Sequence, residues 1–113
     1  INTIPGMAID VRTRRSRLSR ATAGISGPVV HHMAVRMVWE AYHAVRIPLC
    51  GIGGVTTGED AAEFILAGAT AVSVGTANLC DPRCAPRILS ELRQWASEQG
   101  ANDIRELIGA VEC

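Results

Sequence analysis

Residues 51–55 read "GIGGV", and residues 74–78 read "VGTAN". Each glycine cluster closes a short apolar run, "IPLCGIG" at 47–53 and "TAVSVGT" at 70–76. Short apolar runs ended by glycines are the mark of buried strands. Between them, Thr56 with Glu59 predicts a capping box. "AAEFILAGA" (61–69) follows as a short helix, and Gly68 as its stop. Strand, helix, strand is a βαβ unit, which implies parallel pairing. Neither strand alternates strictly, so both faces are expected to be covered. An open Rossmann-like sheet and a (β/α)8 barrel both satisfy this pattern. The G-x-G-x-x-G fingerprint is not met, because Val55, Thr56 and Thr57 follow "GIGG".

Working outward, residues 2–27 form a long polar connection of a length that often marks a functional loop. "GMAIDV" (6–11) and "SRLSRA" (16–21) could pair within it as a hairpin, with the arginine run "RTRRSRLSR" as its solvated face. Pro28 suits a first helical position. Val29, Val30, Met33, Ala34, Met37, Val38, Ala41 and Val45 then recur at helical spacing. After the second strand, "DPRCAP" (81–86) leads into a helix with Ile88, Leu89, Leu92, Trp95 and Ala96 on one face. Ile104, Leu107, Ile108 and Val111 mark a last short helix.

The composition narrows the chemistry. The 113 residues are 48% hydrophobic and 19% charged with zero net charge, which describes a globular chain. That charge gives no electrostatic case for nucleic acid or a membrane surface. Aromatics, at 4%, are too scarce for base-stacking platforms. No apolar stretch reaches the ~20 residues of a membrane span. All eleven basic residues are arginine, so no lysine of this chain can act as a base or form a Schiff base. Of the four cysteines, Cys50 is expected as a small buried group within a strand. Cys80 and Cys84 lack the second ligand pair of a closed zinc site. A reducing, cytoplasmic setting fits this cysteine usage. His31, His32 and His43 are expected at solvated positions on the first helix, and no metal site is expected. Asp10 has no visible acid or base partner, and Glu59 and Asp60 fit a helix start.

The glycine clusters carry the functional reading. At the C-terminal ends of parallel strands, glycines let backbone N–H groups face outward without a Cβ in the way. Beside a helix start they can cradle a phosphate. In (β/α)8 barrels that site is frequently built by the loops after strands seven and eight. Gly53 and Gly54 on one strand end, with Gly75 and the hydroxyl of Thr76 on the next, fit such a grip. "GISG" (24–27) ends in Gly27 at another helix start. Asn2 and Thr3 offer a carboxamide and a hydroxyl to a polar substrate.

Together, "INT" (1–3), "GMAIDVRTR" (6–14), "AGISGP" (23–28), "GIGGVTTGEDAAEFILAGATAVSVGTAN" (51–78) and "DP" (81–82) resemble the C-terminal part of the dihydroorotate dehydrogenase family. "GMAID" with its basic turn, and "VGTAN" with "DP", most resemble the NAD-linked class 1B catalytic subunit. The resemblance implies an α/β fold in which residues 1–113 are a C-terminal fragment of one FMN-binding (β/α)8 barrel, about strands 6 to 8. It implies FMN-dependent oxidation of dihydroorotate to orotate in pyrimidine (UMP) biosynthesis. It places Ile1 against the flavin and Asn2 and Thr3 on the pyrimidine. Gly27, Gly53, Gly54, Gly75 and Thr76 would be FMN contacts. A base would take the C5 proton of dihydroorotate while hydride leaves C6. In class 1 enzymes that base is a cysteine from an earlier loop, and a flavin-contacting lysine also comes earlier. No residue here matches either, so no catalytic residue is assigned and the isolated chain is expected to be inactive. Class 1B also implies a partner subunit carrying FAD and a [2Fe–2S] cluster, and a homo-oligomer of the full-length protein. Two rival readings stand beside this one: another FMN- or phosphate-binding (β/α)8 barrel enzyme, and a non-catalytic α/β binding module.

Overall fold

The computed structural model describes residues 3–112. Ile1 and Asn2, and the roles expected of them, lie outside the described residues.

The long connection forms two small antiparallel ladders. Strand β1 (Pro5–Gly6) pairs with β4 (Ala23–Gly24), and β2 (Ile9–Asp10) pairs with β3 (Arg15–Ser16). The expected hairpin is therefore present, with Ile9 opposite Ser16 and Asp10 opposite Arg15. Its turn is organised by Asp10. The carboxylate accepts the N–H groups of Arg12 (2.9 Å) and Thr13 (3.3 Å), and Arg14 takes a left-handed φ of 57°. The Arg12 and Thr13 bonds hold the Asp10 carboxyl below its ordinary range. The arginines of this segment are all exposed, as a solvated hairpin face requires.

A 3-10 turn at Pro28–Val30 runs into α1 (His31–Ala44). Proline opens that turn because its fixed φ is helical and its missing N–H would have had no partner there. Then follow β5 (Cys50–Ile52), α2 (Gly58–Leu66), β6 (Ala71–Ser73), α3 (Thr76–Cys80), α4 (Cys84–Glu98) and a 3-10 turn at Ile104–Leu107. The expected βαβ unit is β5–α2–β6, and its strands are parallel, with Cys50, Gly51 and Ile52 opposite Ala71, Val72 and Ser73. The short helix α3 is an element that the sequence pattern did not announce, since its five residues span too little chain to show a period.

Helix α2 starts one residue later than the sequence suggested. Thr57, not Thr56, is the N-cap, and its partner is Asp60, not Glu59. Thr57 Oγ1 accepts from Asp60 N (3.1 Å), and Asp60 Oδ2 accepts from Thr57 N (2.9 Å). Asp60 Oδ2 also accepts the N–H and the hydroxyl of Thr56, both at 2.8 Å. A shorter acidic side chain at N3 suffices because both threonines converge on one oxygen. At the other end, Gly68 takes a φ of 111°, and the N–H groups of Gly68 and Ala69 close on the carbonyls of Ile65 and Phe64. The stop expected there is formed.

The core lies between α2 and its neighbours, with Phe64 fully buried and Val38, Val55, Ala61, Cys84 and Ile88 around it. A Cβ on Gly51 would fall 2.5 Å from the Phe64 ring, so the strand can pass over that ring only as glycine. Within residues 3–112, helices cover only one of the two strand faces expected to be buried. Gly51 is buried, but Cys50 and Ile52 are exposed, Ile52 at 56%. Cys50 is thus not a buried core group. Among the described residues, the free thiol that is buried is Cys84, at the start of α4. One layer of helices covers one face only, and the strands turn their other face outward.

Candidate functional site

The carboxyl ends of β5 and β6 open on a cleft of about 770 Å³. Five of the residues singled out from the sequence line it together: Gly27, Gly53, Gly54, Gly75 and Thr76. Thr3 lines it as well. Residues separated by as much as 73 positions in the chain therefore meet at one site.

The local geometry explains why glycine stands at these points. Gly53 and Gly54 have φ values of 138° and 68°, which side chains rarely tolerate. A Cβ on Gly54 would lie 2.8 Å from Gly27 O and 2.9 Å from His31 Cβ. A Cβ on Gly53 would lie 2.7 Å from Ala34 Cβ. The diglycine thus packs backbone against the turn that starts α1. Gly27 and Gly75 differ: a Cβ at either would meet nothing within 4 Å. Their missing side chains leave open space facing the cleft.

His31 holds this corner. Its side chain is only 4% exposed, against the solvated position expected from the sequence. Nδ1 lies 2.9 Å from the Gly53 carbonyl, which can only accept, so Nδ1 carries a proton. The ring stands edge-on to Phe64 at 5.2 Å. Because the Gly53–Gly54 peptide is trans, fastening its carbonyl to α1 turns the Gly54 N–H to the opposite side. The helical period could not reveal this burial. His31 sits at the very start of α1, where the preceding 3-10 turn shifts the phase of the apolar stripe.

Arg87 is a second residue that sequence reading passed over. It lines the cleft, donates from Nη2 to Thr56 O (3.0 Å), and pairs through Nη1 with Glu91 Oε1 (2.8 Å). Glu91 raises the Arg87 guanidinium further. In return, Arg87 and the Gly58 N–H (2.7 Å) hold the Glu91 carboxyl below its ordinary range. Its only visible sequence signal was the i,i+4 spacing to Glu91. Asp10, by contrast, lies in the hairpin and does not line the cleft.

The chain that forms this cleft has relatives among known proteins. The sequence profile of the family described as Dihydroorotate dehydrogenase matches residues 1–95. The chain belongs to the dihydroorotate dehydrogenase family. It is 54% identical over 112 residues to the "Dihydroorotate dehydrogenase B (NAD(+)), catalytic subunit" of Geobacter metallireducens, covering 99% of this chain and 37% of that subunit. The subunit of the same name from Desulforudis audaxviator is 54% identical over 98% of this chain and 36% of its own length. The chain thus spans little more than a third of the curated relatives it matches. Among solved structures it superposes on the dihydroorotate dehydrogenase of Eimeria tenella in complex with ferulenol, with a TM-score of 0.75 and 29% identity. That match covers 93% of this chain and 29% of the other. The ligand-free form of the same enzyme gives a TM-score of 0.74. The βα units described above are accordingly part of a (β/α)8 barrel. Among the described residues, no helix is long and apolar enough to cross a membrane.

Proposed function

We propose that this chain is the C-terminal part of an FMN-dependent, NAD-linked dihydroorotate dehydrogenase, and that its share of the active site is the grip on the flavin phosphate. The observation that supports this reading most is the convergence of Gly27, Gly53, Gly54, Gly75 and Thr76 on one cleft. The fit to a flavin mononucleotide rests on the open space before Gly27 and Gly75, which side chains there would fill. A cleft of about 770 Å³ also lies within the range of cofactor sites.

In this reading the Gly54 N–H and the Thr76 hydroxyl donate to the phosphate oxygens, and Arg87 supplies positive charge at the cleft edge. Thr3, with Asn2, hydrogen-bonds the pyrimidine. Ile1 would be a contact of the flavin. The flavin, when bound, supplies the redox chemistry that turns dihydroorotate into orotate. The residues of this chain bind and orient; the base that accepts the substrate proton belongs to a different stretch of the barrel. Electrons leave to a partner subunit, for which FAD and a [2Fe–2S] cluster are the expected carriers. The full-length protein is a cytoplasmic homo-oligomer in this reading.

Two-dimensional amide NMR of the isotopically labelled chain tests the grip. FMN is expected to shift the amides of Gly53, Gly54, Gly75 and Thr76, and riboflavin, which lacks the phosphate, is expected to leave them in place. Equal shifts from both compounds, or shifts only outside the cleft, would overturn the assignment.

A further inference from the structure

On the side of α1 facing α2, three potential ligands gather between the start of α1 and the middle of α2. His31 Nε2 lies 3.3 Å from Glu63 Oε2, and His32 Nδ1 lies 3.7 Å from the same oxygen. The three ligand atoms all fall within 4.8 Å of one another. Asp60 Oδ1 stands at the rim, 3.8 Å from His31 Nε2. We propose that His31, His32 and Glu63 form a binding site for a divalent transition-metal ion, with zinc as the best match.

Three observations carry this. First, the tautomer of His31 is set. Nδ1 donates to the Gly53 carbonyl, which leaves Nε2 as the atom directed at Glu63. A histidine whose second nitrogen is fixed by a carbonyl is the usual arrangement of a metal-bound imidazole. Second, Nε2 is buried, and among the described residues it has no hydrogen-bond partner. Glu63 is near enough, but not aligned as an acceptor. A buried polar atom left this way calls for a ligand. Third, the spacing suits zinc. Zinc–nitrogen and zinc–oxygen bonds of about 2.0–2.2 Å in tetrahedral geometry separate ligand atoms by about 3.4 Å. The Nε2 to Oε2 distance already has this value, and the exposed His32 ring, 88% accessible, is free to adjust. Two neutral imidazoles and a carboxylate make the borderline donor set that zinc prefers over magnesium or calcium.

The bound ion would tie the start of α1 to α2 and, through His31, brace the Gly53 carbonyl. The site would exist whether or not the cleft holds a flavin, so it does not rest on the reading above. Calorimetric titration of the metal-free chain with zinc chloride, with magnesium chloride as the control, decides it. One zinc ion per chain is expected, with micromolar or tighter affinity and no heat from magnesium. Glu63→Gln and His32→Ala, both at accessible positions, are each expected to weaken zinc binding at least about tenfold while the circular dichroism spectrum stays unchanged. Nitrogen-15 imidazole spectra should show zinc displacing the His31 Nε2 signal. Absence of zinc binding, or binding undiminished in both variants, would overturn the proposal; the second result would move the ion to the cysteines.

Discussion

Gly54 shows how one residue can serve both the fold and the proposed function. Its φ of 68° and the closeness of Gly27 O leave no room for a methyl group. Gly54→Ala is expected to destabilise the chain by about 1–3 kcal/mol, measured by denaturant unfolding, because it adds strain at a left-handed position and a backbone clash. Thr76 is the contrasting case. Its position is half-buried at the cleft wall, at the first turn of α3. Thr76→Val keeps the shape and removes one hydroxyl, so stability should change by no more than about 0.5 kcal/mol. If the hydroxyl donates to a phosphate, FMN affinity should nevertheless fall about tenfold or more, the weight of a hydrogen bond to a charged group. Flavin fluorescence titration of the completed barrel reads that loss; unchanged affinity would remove Thr76 from the grip. Gly54 and Thr76 were visible in the sequence, because each follows a short apolar run that ends in glycine. His31 was not, because its burial depends on a partner 22 residues away.

At the scale of elements, α2 is held at its start by one carboxylate. Burial pushes the Asp60 carboxyl up, but the hydrogen bonds from Thr56 and Thr57 outweigh it and hold the group below its ordinary value of 3.8. A carboxyl lowered in the folded state stabilises fully above that ordinary value. The contribution should then disappear as pH falls below 3.8 through the folded value. Asp60→Ala is expected to cost about 1–2 kcal/mol at neutral pH, the usual weight of a lost cap. It should also flatten the acid limb of a stability-versus-pH curve. A curve as steep as that of the parent would show that other carboxylates govern acid unfolding. The capping motif was legible as a type of feature, but not its register. Thr56 and Thr57 are adjacent, as are Glu59 and Asp60, and only the path of the chain from Gly54 selects the second of each pair.

For the whole molecule, the outward face of β5 and β6 is decisive. Ile52 is exposed, and Leu79, Val29 and Ile47 add apolar surface elsewhere, at 86%, 71% and 69%. In a barrel, the strand face opposite the helices is the interior, filled by side chains of other strands. A chain that leaves this face bare should self-associate. Sedimentation velocity is expected to show concentration-dependent oligomers at micromolar concentrations, and an Ile52→Ser variant should reduce them. A monomer with cooperative unfolding would instead indicate a self-sufficient domain. If the proposed grip is one part of a flavin site completed by other strands, equilibrium dialysis of the chain should likewise find only weak FMN binding, with no tight, stoichiometric complex.

The order of elements, the parallel pairing and the placing of glycines at the strand ends follow from local rules, so the sequence by itself determined them. Apolar runs ended by glycine can be read without knowing what surrounds them, and a helix between two strands allows only a crossover connection. The uncovered strand face, the bury of Cys84 in place of Cys50, the one-residue shift of the α2 cap and the meeting of His31 with Gly53 and Glu63 were decided by tertiary structure alone. Each depends on which segments approach one another in space. Burial and partner choice are set by contacts between residues far apart in the chain, and no periodicity in a short window encodes them.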